Sequence, residues 1–459
     1  NWSRIKRWYL TMASAFLVLN ATFASSSPSG IFAKFSQEFQ MMEIESVLTL
    51  SLFVTGYCVG PLLWGPLSEQ YGRRPVNIYP FFIYAVLSKC FQIAAALAKT
   101  TVQILLFRFL GGVFAAAPLT NSGAVISDIW DAETRGKAMA LFTLAPFAGP
   151  AVGPTVAGFV GDGVSWRWVF WILAIFAFLC WILIIFTMPE TYSPIILVQK
   201  AKRLRKETSD SRYYAPMERR NLTLAERLKD ILAKPFLILF REPMLIALTI
   251  YMSFVYGCLY LLFAAYPIVF TDGHHLSEGI SGLMFLPIPI GGALSVLLYV
   301  TVYNPRYKRE AERLIPDPVP PEFRLEVAMI SGPIFAASFF WFAWTSSPHI
   351  SYWAPLMSGL TMGFSISLIF LGLFNYIIDV YIYAAASALA SSTVVRSLCG
   401  AGFPLFAGSM YRKLGSQWAS TLLGFIAPVM VPIPFVFKKY GPWLRSKSHY
   451  APSAPSLPK

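Results

Sequence analysis

The chain has 459 residues, of which 56% are hydrophobic and only 13% are charged, and its mean hydropathy is +0.57. This composition excludes an ordinary soluble domain, in which about a quarter of the residues carry a charge. The net charge of +14 is compatible with nucleic-acid binding, but the long apolar runs favour a membrane protein without a nucleic-acid partner.

Twelve apolar runs approach the length of about 20 residues that a helix needs to cross the hydrocarbon of a bilayer. They lack the short alternating strands of an outer-membrane barrel, so the sequence predicts an all-α polytopic membrane protein. The predicted spans are residues 9–29, 46–66, 76–98, 103–127, 136–160, 167–188, 244–270, 280–303, 327–346, 351–378, 384–409 and 416–438.

Metal and nucleotide chemistry find no support in the sequence. The five cysteines fall inside apolar runs without metal-type spacing, and the four histidines lie in links or in the tail. A phosphate-binding loop of the form G-x-x-x-x-G-K-[ST] is absent from the sequence. We therefore expect no cofactor, no metal and no catalytic residue, and the protein is not expected to be an enzyme.

Basic residues are concentrated in the even-numbered links between the spans. This bias is typical of cytosolic loops, so we expect both termini to lie in the cytosol. The basic residues of these links are Arg73, Arg74, Arg135, Lys137, those of the link 189–243, and Arg306, Lys308, Arg309, Arg313 and Arg324.

The longest link divides the spans six and six. We therefore expect a first bundle at residues 1–188, a cytosolic linker at 189–243, a second bundle at 244–438 and a cytosolic tail at 439–459. The basic helical pattern of the linker fits either contact with anionic lipid or a solvated face. Because it is rich in proline, the link 304–325 is predicted to be stiff and extended.

Three motifs carry a resemblance to a known family. The stretch "WGPLSEQYGRRP" at 64–75 resembles the signature loop of the major facilitator superfamily, "ILLFRFLGGVFAAAP" resembles its second motif, and "LAPFAGPAVGPTVAGF" resembles its antiporter motif. The matching residues are Gly65, Leu67, Glu69, Gly72, Arg73 and Arg74 in the first, Arg108 and Gly112 in the second, and Gly149, Pro150, Gly153 and Pro154 in the third.

Further stretches narrow the resemblance to the fungal twelve-span drug:proton antiporters. These stretches are "TFASSSPSG" at 22–30, "SWRWVFW" at 165–171, "PETYSPIILVQKAKRLR" at 189–205, "PEFRL" at 321–325, "FNYIIDVYIYAAASALA" at 374–390 and "GFPLFAGSMYRKLG" at 402–415. The resemblance implies a major facilitator fold with two six-helix halves. It also implies a monomer that exports a drug, polyamine or metabolite in exchange for protons, in contact with the lipid of a fungal plasma or vacuolar membrane.

The resemblance implies a latch on the cytosolic face. In it, Glu69 faces the start of the eleventh span near Ala384, where free backbone amides carry partial positive charge, and Arg73 pairs with Asp128. Such contacts form in one state of a rocking transporter and separate in the other. The simpler alternative is that Arg73 and Arg74 only mark a cytosolic turn.

Charged residues inside predicted spans are functional candidates, because a charge in the bilayer costs at least about 2.5 kcal/mol. The resemblance gives Arg108 a role in proton coupling or substrate orientation, with a structural arginine as the alternative. Arg396 either contacts substrate or forms hydrogen bonds between helices. For Lys89, snorkelling to the outer interface is favoured.

No carboxylate is found in the middle of a predicted span. Glu69, Asp128 and Asp379 all lie near span ends, although a proton antiporter ordinarily uses a buried acid. The resemblance implies an acidic residue in the seventh span, within a stretch like "YLLFEAYPIVF", whereas this chain has "YLLFAAYPIVF" with Ala264 at the matching place. Either this member works without that acid, or alanine replaces a native glutamate.

The substrate cavity is expected between the two halves, near the middle of the membrane. The candidate residues are polar or aromatic, and such walls suit apolar or cationic guests, although each tyrosine has packing as its alternative role. Besides Arg108, Ala264 and Arg396, they are Asn20, Tyr57, Asn121, Tyr256, Tyr260, Tyr266, Asn375 and Tyr376. The two arginines and the missing acid also fit a facilitative carrier or importer of an organic acid that is not coupled to protons.

Overall fold

The computed structural model describes residues 2–85, 95, 97–130, 132–219, 224–315, 317, 319–382 and 384–450, and this part of the chain is helical without any strand. The first eight helices are α1 Arg4–Ser26, α2 Phe32–Phe39, α3 Glu43–Tyr71, α4 Arg73–Ala85, α5 Thr101–Ile129, α6 Ala132–Phe142, α7 Leu144–Gly163 and α8 Arg167–Thr187. The others are α9 Ser193–Thr208, α10 Leu224–Arg241, α11 Pro243–Tyr266, α12 Glu278–Leu283, α13 Pro287–Leu298, α14 Asn304–Leu314, α15 Leu325–Thr345, α16 Trp353–Val380, α17 Ala385–Met430 and α18 Pro432–Ser446.

Ten helical segments in the described part of the chain are long and apolar enough to cross a membrane. The last of them, Ser387–Ser446, has 60 residues, which as a helix extend about 90 Å, about three times the hydrocarbon thickness. It breaks at Gly415, whose φ of 77° is outside the helical range and favours glycine. Two crossings therefore fit within this segment. Residues 86–94 and 96 of the predicted third span, including Lys89, lie outside the described residues.

Large apolar side chains cover much of the outer surface. The exposed fraction is 83% for Phe186, 67% for Val429 and 64% for Phe425. In water such a surface would drive association, whereas the hydrocarbon of a bilayer solvates it. Because the backbone hydrogen bonds are made inside the helices, these segments can lie in lipid. The predicted all-α membrane protein is confirmed, and the chain is an integral membrane protein.

The helices form two packed groups. Helices α1–α8 pack on one another as a first half, and helices α11–α18 form a second half. Contacts of α3 with α17 and of α7 with α12 and α13 join the halves. Within the first half, a Cβ added at Gly149 or Gly153 would lie within 2.9 Å of the backbone of α1. The glycines of the predicted antiporter motif thus allow α7 and α1 to approach closely.

The prediction that the link 304–325 is extended is wrong for the first half of the link, which is helical. The eighth span continues through a π-helical segment, Tyr299–Tyr303, directly into α14. Pro305 lies in the first turn of α14, where the missing N–H of proline costs little. The basic segment after residue 303 is therefore a helical extension of the span.

The link between the halves begins with helix α9, in agreement with its basic helical pattern. After α9 the chain turns back, and the Arg205 guanidinium donates to both oxygens of Glu218, at 3.1 and 2.6 Å. The hydrogen bonds from Arg205 hold the pKa of Glu218 below its ordinary value. The turn is thus fixed by an ion pair on the linker itself.

Candidate functional site

Arg108 of α5 is held by the backbone of two neighbouring helices. Its Nε donates to the carbonyl of Thr49 at 2.8 Å, and its Nη2 donates to the carbonyls of Ala24 at 2.8 Å and Ser25 at 3.2 Å. The guanidinium carbon also lies 4.1 Å from the ring centroid of Phe53. These contacts stabilise a charge that is only 1% exposed. Arg108 thereby connects α1, α3 and α5.

Polar contacts continue from Arg108 across the boundary between the halves. The Ser25 hydroxyl of α1 lies 2.9 Å from the Tyr260 hydroxyl of α11, and the Tyr256 hydroxyl donates to Tyr260 at 3.4 Å. The guanidinium of Arg396 lies 4.7 Å from the ring centroid of Tyr256. Arg108, Ser25, Tyr260, Tyr256 and Arg396 form what we call the central polar chain. It joins the buried arginine of one half to that of the other.

Arg396 of α17 has a different environment from that of Arg108. Three aromatic rings surround its guanidinium, and besides Tyr256 these are Phe370 and Phe374, both with centroids at 5.4 Å. Its Nε is shielded from solvent and has no acceptor, and none of the ion pairs among the described residues includes Arg396. The residue lies deep in the bundle, yet part of it is accessible.

Two buried amides of the first half lack partners. Asn20 and Asn121 are both 0% exposed, and the side-chain oxygen and nitrogen of each have no hydrogen-bond partner. The Tyr57 hydroxyl, in contrast, has a partner and donates to the carbonyl of Ala21 at 2.7 Å. Because buried polar atoms are nearly always paired, the two amides mark positions where a bound polar molecule or water would be stabilised.

The remaining candidates on α11 are packed. Tyr266 is 0% exposed, and its ring centroid lies 4.5 Å from that of Phe285 and 5.3 Å from that of Phe342. Ala264 is 8% exposed and lies one helical turn beyond Tyr260. A longer side chain at residue 264 would thus extend back toward Tyr260 of the central polar chain, on the same face of α11.

The two candidates on α16 have local partners. The Asn375 side-chain amide donates to the carbonyl of Leu371 at 2.7 Å. The Tyr376 hydroxyl donates to the Met244 sulfur at 3.4 Å, and Tyr376 is 0% exposed. Among the described residues, neither side chain forms a hydrogen bond with a member of the central polar chain, so their predicted substrate contacts stay predictions.

A network of charged groups lies where α3 ends and α4 begins, on what we call the basic face. The Nε of Arg73 is 3.2 Å from Asp128 Oδ2, and its Nη1 donates to the Ser68 hydroxyl at 2.5 Å. Glu69 is exposed and has no hydrogen bond or ion pair with any residue that the structure describes. The predicted contact of Glu69 with the start of α17 stays a prediction.

Glu190, which follows α8, was missed as a site residue. Its carboxylate accepts hydrogen bonds, at 2.9–3.2 Å, from the backbone amides of Arg73, Arg74, Thr191 and Tyr192. Gly72 has a φ of 102°, and a Cβ there would overlap this carboxylate, so both backbone and space require glycine. An acid immediately after a span, in "PETYSP", was the signal available in the sequence.

The second half repeats the arginine–aspartate arrangement. Arg324 Nε is 3.0 Å from Asp379 Oδ2, and the two residues are 55 positions apart, as Arg73 and Asp128 are. The Arg324 guanidinium also donates to the Tyr299 hydroxyl at 3.0 Å. Sequence analysis placed Asp379 near a span end without a partner. The equal separation within the two halves was the signal that could have revealed the pair.

The opposite face is closed by contacts between the halves. At the start of α3, Glu43 forms an ion pair of 2.6 Å with Arg412 of α17. Near the end of α7, the Asp162 carboxylate accepts the backbone N–H of Gly279 in α12 at 2.9 Å. Both contacts join one half to the other, so they hold the halves together at this face.

Comparison with known proteins identifies relatives along nearly the whole chain. A model of the Major Facilitator Superfamily matches residues 14–404. The "Efflux pump FUBT" of Fusarium oxysporum is 40% identical over 456 residues, which are 99% of this chain and 76% of that protein. The "Major facilitator superfamily multidrug transporter mdrA" of Aspergillus fumigatus is 40% identical over 453 residues, 98% of this chain and 73% of that protein.

A solved structure supports the fold. The proton:xylose symporter XylE, bound to 6-bromo-6-deoxy-D-glucose, superposes with a TM-score of 0.68 over 96% of this chain and 96% of that chain. The two sequences are only 15% identical, so this likeness shows the architecture alone: twelve spans in two six-helix halves.

Proposed function

The chain belongs to the major facilitator superfamily, and we propose that it is a secondary active transporter that exports a small organic molecule by alternating access. A family member of this kind is a transporter and not an enzyme. The observation that carries the proposal is the central polar chain, which crosses between the halves where Ser25 meets Tyr260 at 2.9 Å. A substrate bound there contacts both halves at once, as alternating access requires.

The direction of transport rests on the relatives. Proteins named as an efflux pump and a multidrug transporter are 40% identical to this chain over at least 98% of its length. We propose that the basic face is cytosolic, with both termini on that side, because arginine and lysine accumulate in cytosolic loops. The substrate, a drug, polyamine or metabolite, would leave the cell through the opposite face, at the plasma membrane of a fungal cell.

Exchange for protons is proposed as the driving force. The ion pairs of the basic face, Arg73 with Asp128 and Arg324 with Asp379, each lie within one half, so each pair would move with its own half when the halves tilt. Residues 1–188 and 244–438 would then move as two bundles around the cavity, joined by the linker 189–243 and followed by the tail 439–459. We expect a monomer, since each chain contains both halves.

A facilitative carrier or importer of an organic acid is the second candidate. It is favoured by Ala264, at a position where the family resemblance implies an acid, and by Arg396, whose Nε has no acceptor. Such a carrier would need no proton-binding carboxylate in the middle of its spans.

Transport by proteoliposomes separates the two candidates. Purified protein is reconstituted in a single orientation, and flux of labelled substrates is measured with and without an imposed pH gradient. The exporter predicts flux from the basic face that increases when the opposite compartment is acidic. Flux that is the same with and without the pH gradient would contradict proton coupling and favour the facilitative carrier.

A further inference from the structure

Glu278, the first residue of α12, places an acid between the two halves at the opposite face. Its Oε2 is shielded from solvent and accepts no hydrogen bond. Across the contact, Oε2 lies 3.5 Å from the position that a Cβ of Gly161 in α7 would occupy. A buried carboxylate oxygen without a donor is costly, because its hydration is lost and not replaced. A charge on Glu278 therefore disfavours the closed contact between α7 and α12.

The backbone donors next to Glu278 are used by other acceptors. In the first turn of α12, the N–H of Gly279 donates to the Asp162 carboxylate of α7 at 2.9 Å, and the N–H of Ile280 donates to the Ser277 hydroxyl at 3.3 Å. Asp162 thus has a donor that stabilises its charge. The start of α12 does not stabilise the Glu278 carboxylate in the way that free amides at a helix start would.

Three charged groups surround Glu278. Asp162 of α7 and Lys34 of α2 act on it from the first half, and Asp272 lines the same cavity as Glu278. The two acids disfavour a further negative charge nearby. Lys34 attracts the carboxylate, but the two residues form no ion pair among the residues that the structure describes. While the halves are in contact, the surroundings of Glu278 therefore favour the neutral acid.

Both halves contribute to the cavity beside Glu278. The cavity has a volume of about 100 Å³, and its walls include Ser29 and Pro154 of the first half and Glu278 and Phe285 of the second. Ser29 is only 4% exposed in this closed arrangement. When the halves separate here, water enters the space and hydrates the Glu278 carboxylate. The free energy of ionising Glu278 therefore differs between the closed and the open arrangement.

We infer that Glu278 is a proton-binding residue of the opposite face, and that this face closes more readily when Glu278 is neutral. The inference rests on the proposed function, because it assigns a pH-sensitive step to the same alternating motion. An acid that is neutral in the closed arrangement and ionised in the open one takes up a proton on closure. Low pH at the opposite face therefore favours closure, and closure weakens as the pH rises. Glu278 takes its proton from this face and returns it there, so its role does not depend on proton exchange across the membrane.

Thiol labelling of the full chain in nanodiscs tests the inference. The reporter is Ser29→Cys in a background without native cysteines, with and without Glu278→Gln, which keeps the shape of the acid without its charge. Labelling by a membrane-impermeant organomercurial is compared between the two chains at the same pH, so the titration of the reporter thiol cancels. At about pH 4, where an exposed glutamate is itself largely neutral, the two rates should agree within about twofold. At about pH 7, the chain that retains Glu278 should label about three- to tenfold faster.

Two further variants separate the acid from its surroundings. Asp272→Asn is the matched control, because Asp272 lines the same cavity but is exposed, and it should label within about twofold of the wild type at either pH. Glu278→Ala removes the acid without adding an amide and should behave like Glu278→Gln, so it decides the question if the glutamine variant does not fold. Equal labelling with and without Glu278 at about pH 7, or an equal loss of the pH effect in Asp272→Asn, would overturn the inference.

Transport by the same chains in proteoliposomes separates this inference from the proposed function. The probes are a panel of organic amines, neutral amides and carboxylates. If labelling is independent of Glu278 while the wild type transports any of these probes, the role of Glu278 in closure is wrong and the transporter proposal stands. If the wild type transports none of them, the proposed function is contradicted, and the labelling comparison still decides the role of Glu278.

Discussion

At the scale of single residues, Arg108 and Arg396 are held inside the protein by different kinds of contact. A charge inside a bilayer protein costs at least about 2.5 kcal/mol, and Arg108 offsets this cost with three hydrogen bonds to backbone carbonyls. Arg396 has aromatic faces around it instead and an Nε without an acceptor. Both arginines lie within predicted spans, and each has one side-chain nitrogen without an acceptor, Nη1 of Arg108 and Nε of Arg396. The two differ in how they are held, because backbone carbonyls surround Arg108 and aromatic rings surround Arg396.

The first prediction concerns Ala264. A glutamate there would be a carboxyl group in a largely buried position, since Ala264 is 8% exposed, and burial favours the protonated form near neutral pH. Ala264→Glu should therefore make transport several-fold more dependent on an imposed pH gradient in proteoliposomes. Ala264→Gln, which has the same shape but does not titrate, is the matched control. A gradient response that is the same in both variants would refute the role of a carboxyl at this position.

The second prediction concerns Glu190, whose carboxylate accepts four backbone N–H groups. Glu190→Ala leaves these donors unpaired, which should lower the stability of the protein by about 1–3 kcal/mol. The measurement is thermal unfolding of the purified protein in detergent, with transport assayed in parallel. The control is Glu310→Ala, since the ion pair that Glu310 forms among the described residues is with the exposed Arg313, at 3.9 Å, and such pairs contribute little. Equal melting temperatures for the two variants would contradict the proposed role of Glu190.

At the scale of helices, close packing at the opposite face depends on small residues. A Cβ at Gly158 of α7 would lie 2.5 Å from the carbonyl oxygen of Glu278 in α12, which is closer than atoms can approach. At Gly163, near the end of the same helix, no atom lies within 4 Å of an added Cβ. The helix crossing therefore tolerates a larger residue at one glycine and excludes it at the other.

The third prediction follows from this pair of glycines. Gly158→Leu should prevent the halves from meeting at the opposite face, so transport should be lost, while Gly163→Leu should transport normally. In a background without native cysteines, Ser29→Cys serves as the reporter, because Ser29 is 4% exposed in the closed arrangement. A membrane-impermeant thiol reagent should label it faster with Gly158→Leu than with Gly163→Leu. Equal labelling would show that the crossing does not close this face.

At the scale of the whole molecule, apolar length and basic links were sufficient to predict an all-α membrane protein, and ordered motifs were sufficient to predict its family. The ion pairs of the basic face were harder to predict. Arg324 and Asp379, for example, lie 55 positions apart and meet only when two helices pack together. Ala264 and Arg396 show the same limit. Their residue types are visible in the sequence, but their neighbours depend on the packing of α11, α16 and α17.

Two ion pairs of the opposite face distinguish motion between the halves from motion within one. Glu43 and Arg412 join the halves at 2.6 Å, whereas Glu38 and Arg167 are both in the first half, also at 2.6 Å. If transport requires the halves to separate at this face, a covalent link across the first pair must stop it. A link across the second pair leaves the relative motion of the halves free.

The fourth prediction uses cysteines at these positions in a background without native cysteines. A short cleavable thiol cross-linker should abolish transport in the Glu43→Cys/Arg412→Cys variant, and reduction of the linker should restore it. The same treatment of the Glu38→Cys/Arg167→Cys variant should leave transport nearly unchanged, since that link lies within one rigid group of helices. Transport that survives the link between the halves would exclude alternating access by their separation, because substrate would then cross while the opposite face stays closed.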